Sequence, residues 1–79
     1  MIITDGVHMV STISEGELHN FAACVGLKRE WYQNHLRHPH YDITRRRKLY
    51  RVLAHGAKEV TTKELIRNAW WWPSRKEIG

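Results

Sequence analysis

Three histidines and an aspartate crowd the segment from His35 to Asp42: His35, His38, His40 and Asp42. If the His-Pro-His-Tyr-Asp run is extended, His38, His40 and Asp42 project on one side at period two. Neutral imidazoles and a carboxylate are suitable ligands for zinc and other divalent transition ions, so these three are candidate metal ligands. Their spacing matches no diagnostic zinc motif. His8 and His19 stand further towards the N-terminus. If the first helix and the histidine-rich segment pack over a sheet, His8, His19, His40 and Asp42 become candidate ligands or acid/base groups of a catalytic site. The same residues have structural uses, because a histidine can donate to a backbone carbonyl and Asp42 can assist a helix cap at Thr44.

Cations form a second pattern. Thirteen Lys and Arg against eight Asp and Glu give a formal charge of +5, which favours an anionic partner. Arg45, Arg46, Arg47 and Lys48 fall in the first turn expected for a third helix, where the backbone dipole is already positive. Such an arrangement calls for compensation by a carboxylate such as Asp42 or by an external phosphate, unless it is simply a solvated face. Arg29, Arg37 and Arg51 add to this phosphate- or nucleic-acid-binding set. Trp70, Trp71 and Trp72 form a third pattern: successive helical residues diverge by about 100°, so at least one indole should be exposed. With Arg67, Arg75 and Lys76 nearby, the triplet suits a protein interface or base stacking, or it folds back over a small core.

These residues need elements to position them. Ile2–Thr4, the turn pair Asp5-Gly6 and the β-branched run Val7 to Ile13 predict a short hairpin or an abruptly entered strand. Ser14 and Glu17 fit a capping box, Ile13 can staple onto Leu18, and Leu18, Phe21, Ala22 and Val25 give a helical stripe that Gly26 ends. Lys28 to Leu36 reads as a short helix containing Trp31 and Tyr32, assigned mainly to the core. Thr44 is expected to cap a helix of about eleven residues with Leu49, Tyr50, Val52 and Leu53 inward and Gly56 at its end. Lys58 to Thr61 reads as a strand, and Thr61 with Glu64 as a second capping box opening a last helix that Pro73 terminates. The expected fold is α/β or α+β, with a small two- to three-stranded sheet packed by three to four helices. Strands separated by a helical crossover should be parallel neighbours.

Seventy-nine residues, 42% apolar and 27% charged, suit one domain over residues 1–73 followed by a polar tail at 74–79. A chain this short buries only about 60% of the surface it exposes unfolded. Its single cysteine, Cys24, excludes an internal disulfide and a cysteine-based zinc site. Neither an export signal nor a membrane span is legible, so the expected compartment is a reducing cytoplasm.

The segments Glu17-Leu18-His19-Asn20-Phe21-Ala22, Gly26-Leu27-Lys28-Arg29-Glu30-Trp31, His40-Tyr41-Asp42-Ile43-Thr44 and Gly56-Ala57-Lys58-Glu59-Val60 resemble the ordered signature of the domain-of-unknown-function 4031 family. The resemblance covers about Val7 to Ile66. It implies a small bacterial or bacteriophage protein and a shared set at His8, His19, His40 and Asp42. It also implies an N-terminal strand and an aspartate-containing loop before the strand at Val7, where this chain has only Met1 to Gly6.

Three functions follow as expectations. The first is a basic module contacting nucleic acid or another phosphate-bearing ligand through the arginines. The second is a metal-assisted hydrolase or nuclease built on the His/Asp cluster, with a divalent metal as cofactor. The third is a phage-encoded factor that binds a host protein, or a second copy of itself, through Trp70 to Trp72.

Overall fold

Hydrogen bonding of five short strands organises the chain. In the computed structural model, which describes residues 1–35 and 37–72, β1 (Ile2–Thr4), β2 (His8–Ser11), β3 (Tyr32–Gln33), β4 (His40–Asp42) and β5 (Lys58–Glu59) lie in the order β3-β4-β2-β1-β5. The helices are α1 (Glu15–Cys24), α2 (Arg46–Ala54) and α3 (Thr62–Asn68), with a 3-10 turn at Arg29–Trp31. This is a mixed α+β fold, and its sheet has five strands where two or three were expected. The shortfall arose because strands of two or three residues are too short to show an alternating pattern; their partners define them. The spacing predicts helix at Tyr32–Gln33, but the 3-10 turn gives way to β3, which pairs with His40 and Tyr41. The parallel pair is β1 with β5, while the β1–β2, β2–β4 and β3–β4 pairs are antiparallel.

Each face of the sheet is covered. Met9 and Tyr41 turn towards α1 and α2, packing with Leu18, Val25 and Val52, and Val10 turns the other way to meet Leu65, Ala69 and Trp71. Alternation along β2 therefore places His8 and Val10 on the α3 side and Met9 and Ser11 on the α1 side.

Local signals explain the helices. Ser14 Oγ accepts from the Glu17 amide at 3.1 Å, but the box is half made. The Glu17 carboxylate goes instead to the Ser11 hydroxyl and the Met1 ammonium. Ile13 is exposed and staples nothing. The Thr61–Glu64 box is complete. Gly26 follows α1 with φ +80°, and a Cβ there would press to 3.1 Å of the Arg51 guanidinium. Two corrections fall on α2. Its N-cap is Arg45 with no side-chain cap bond, so Thr44 does not cap it, and Tyr50 is 61% exposed while Val52 is buried. The expected ends at Leu36 and Pro73 and the tail at 74–79 lie outside the described residues.

Candidate metal centre

The sheet register builds the site. His8 is directly opposite Asp42 across the β2–β4 pair, and His40 is two residues before Asp42 on β4, so all three side chains share one face. One ligand atom from each of His8, His40 and Asp42 lies within 4.8 Å of the others. Ligands on a tetrahedral zinc ion sit about 3.4 Å apart, given bonds of about 2.1 Å, so closing the set requires side-chain shifts of about 1 Å.

Hydrogen bonds fix which nitrogen each imidazole offers. Asp5, whose side chain is 3% exposed, sits in the β1–β2 turn and receives four donors. Oδ1 accepts the Val7 and His8 amides at 2.9 and 2.7 Å, and Oδ2 accepts His8 Nδ1 at 2.9 Å and the Thr62 hydroxyl at 2.7 Å. Burial opposes ionisation of Asp5, but the bonds from His8, Thr62 and Val7 prevail and hold its carboxyl well below the usual carboxylate range. A carboxylate on Nδ1 places the proton there and leaves His8 Nε2 as a lone pair. His40 Nδ1 donates to the His38 carbonyl at 2.7 Å, which likewise leaves its Nε2 as the acceptor of the neutral ring. That Nε2 is 3.0 Å from Asp42 Oδ1. Two acceptors so close repel unless a proton or a metal cation lies between them. Carboxylate and carbonyl partners behind ligating imidazoles are the usual support of a metal site.

Other expected residues go elsewhere. His38 contributes its carbonyl to His40, while its ring packs edge-on against Trp71 at 5.1 Å, because β4 begins only at His40 and the period-two pattern stops there. His19 lies on the opposite face, with Nδ1 2.8 Å from the Tyr41 hydroxyl and the Tyr32 ring at 4.5 Å. Its Nε2 is buried and has no hydrogen-bond partner among the described residues, the Glu15 carboxylate being 3.9 Å away. Burial, with Arg29 adding to it and Glu15 opposing, pushes the His19 imidazole below its ordinary pKa. Asp5 was legible only as a turn residue. The clue missed was the Asx spacing, an aspartate three residues before a histidine with its side chain turned onto the following amides.

The cations divide into two groups. Lys48 donates to Gly26 O at 3.3 Å and Arg51 to Val25 O at 3.5 Å, so α2 places positive charge on the C-terminus of α1. Arg45, Arg46 and Arg47 are exposed, and none forms an ion pair among the described residues. Arg45 and Arg46 line a depression with Gly6 and Thr44, next in sequence to Asp5 and close after Asp42. Arg29 and Arg37 are exposed as well. At the C-terminal end, Trp71 is 3% exposed, Trp70 is half-buried between both apolar clusters and Trp72 is 37% exposed, so the exposed aromatic patch reduces to Trp72. No helix among the described residues is long and apolar enough to cross a membrane.

The model of a protein family of unknown function, DUF4031, matches residues 5–70. The chain belongs to the DUF4031 family. Neither a curated protein nor a solved structure matches it. The DUF4031 match contains Asp5, His8, His40 and Asp42 together with His19, and it leaves out β1. Ile2–Thr4 nonetheless forms a paired strand and Asp5 occupies the loop after it, the two features that the resemblance placed before Val7.

Proposed function

We propose that this DUF4031 protein is a metal-assisted hydrolase acting on a phosphate ester, with His8 Nε2, His40 Nε2 and Asp42 holding a divalent transition ion. The observation that supports it is the juxtaposition of His40 Nε2 and Asp42 Oδ1 at 3.0 Å beside His8, with the far nitrogens of both rings held by Asp5 and the His38 carbonyl. Three protein ligands leave coordination positions for water and substrate, and a bound metal lowers the pKa of such a water towards neutrality. In this reading Asp5 and the His38 carbonyl orient the ligands. Arg45 and Arg46 draw the phosphate to the same end of the sheet.

A second reading, a phosphate- or nucleic-acid-binding module without chemistry, draws on the exposed Arg45, Arg46 and Arg47. Asp42, the acid best placed to neutralise them, is engaged with His40 instead. Either activity suits a reducing cytoplasm, where the exposed Cys24 stays a thiol. Host-protein or self-association through the tryptophans has less support, since Trp71 is buried.

Zinc and manganese titration of the full chain by calorimetry, followed by assay of a chromogenic phosphodiester, tests the proposal. Stoichiometric uptake with metal-dependent turnover supports it. Uptake without turnover on mono- or diesters rules out the hydrolase, and salt-sensitive oligonucleotide binding in that case selects the binding module.

A further inference from the structure

On the α3 side of the sheet, His8 and His40 open onto a cavity of about 170 Å3 whose further walls include His38, Leu65, Ile66 and Trp71. Most of the lining is carbon. The Trp71 indole in its wall is buried and donates from Nε1 to the Pro39 carbonyl at 2.9 Å, and the His38 ring packs edge-on against it.

Size and lining restrict what can enter. Drug-sized ligands occupy pockets of about 300 Å3 or more, whereas an apolar cavity of about 150 Å3 accepts a benzene ring. A space of that size holds one six-membered ring, with the remainder of its molecule outside. A sugar in this space would set hydroxyls against carbon without partners. A planar ring with a polar edge would bury its faces against Trp71, Leu65 and Ile66 and turn that edge to the His8 and His40 imidazoles. The formal charge of +5 and the exposed Arg45 and Arg46 near the same end of the sheet favour an anionic carrier for the ring.

We propose that this cavity is a nucleobase slot of pyrimidine size, and that the substrate is a pyrimidine nucleotide, free or at the end of a strand, whose phosphate reaches the metal. The substrate assignment rests on the metal-centre reading; the slot itself does not. Base stacking against aromatic and apolar walls contributes enough to set a nucleotide apart from its sugar phosphate.

Calorimetry on the full chain, with and without zinc, tests this with uridine 5′-monophosphate, adenosine 5′-monophosphate, ribose 5-phosphate and a short oligouridylate. Uridine monophosphate should bind at least about tenfold more tightly than ribose 5-phosphate, and more tightly than the adenine nucleotide. Ile66→Trp, which fills the slot, should abolish the preference and leave zinc affinity within about twofold, since neither side chain offers a ligand atom. Ile66→Ala, a milder change in case the first variant does not fold, should shift preference towards adenosine monophosphate. Equal binding of uridine monophosphate and ribose 5-phosphate, or a uridine preference unchanged in both variants, overturns the slot. Tighter oligouridylate binding assigns the strand end, and tighter mononucleotide binding the free nucleotide. Zinc uptake without base preference defeats the slot alone, while base preference without zinc uptake defeats the metal centre alone.

Discussion

On one face of the sheet His8 and His40 meet carboxylates; on the other, His19 meets phenols. Both clusters use imidazoles packed against aromatic neighbours, and His19 is as near in the fold to Tyr41 as His40 is to Asp42. What separates them is the supply of negative charge and of room. Asp5 and Asp42 give the α3 face two carboxylates beside a cavity, whereas the α1 face has the Tyr41 and Tyr32 hydroxyls, with Glu15 taken by the Tyr32 hydroxyl at 2.5 Å. Burial raises the Tyr41 phenol above its ordinary pKa, so it stays neutral and offers no charge to a cation. A histidine count alone puts His19 in the site. The carboxylates beside His8 and His40 set that pair apart from His19, whose neighbours are phenols.

The contrast can be broken most directly by removing a proposed ligand. His40→Ala is expected to weaken zinc binding by more than about a hundredfold, beyond the loss typical of removing a supporting group, while His19→Ala leaves it unchanged; competition with a chromogenic chelator measures both. Equal losses would erase the distinction between the faces. Asp5→Asn comes next, with an expected loss of about ten- to a hundredfold in metal affinity, because His8 keeps its position but loses the carboxylate that fixes its tautomer.

Smaller effects sharpen the other face. Tyr41→Phe removes the partner of His19 Nδ1 and should lower stability to urea by about 1 kcal/mol without altering metal affinity. The pH dependence should differ between the His19 imidazole and the depressed carboxylates as well. Because burial holds the His19 pKa down, the folded state favours the neutral ring. Its contribution is complete above about pH 6.5 and is lost as pH falls through the lower folded value. Wild-type urea midpoints should therefore decline below that pH more steeply than those of His19→Gln. Asp5 and Glu17, both depressed carboxylates, lose their contributions only in a more acidic window, below about pH 4.

The parts of this architecture legible in sequence were those governed by neighbours along the chain. Ser14 and Thr61 marked two helix starts, Gly26 and Gly56 followed two helix ends with positive φ, and Asp5-Gly6 marked the hairpin turn. What required the fold was governed by pairing across it. Tyr32–Gln33 has no pattern of its own and becomes a strand through Tyr41 and His40, so the strand count was too low. In the site, period two groups His40 with Asp42, whose side chains meet at 3.0 Å, and His8 is named among the candidates. Only the β2–β4 register joins it to them. The His38 ring leaves the period-two row because the strand begins only at His40, and Tyr50 is exposed because the inward face of α2 is one residue narrower than expected. The basic run divided for a similar reason, since no local signal shows that Lys48 and Arg51 reach the end of α1.

The bond from the Thr62 hydroxyl to Asp5 has a consequence for motion. Thr62 is the first residue of a seven-residue helix, too short to persist by its own propensity, and the carboxylate it holds is the one that orients His8. Opening of α3 and loosening of the site are then one event, and an ion that binds the closed arrangement must slow both. Hydrogen exchange should show this as zinc-dependent protection of the α3 amides, with those of α1, anchored on the opposite face, exchanging as before.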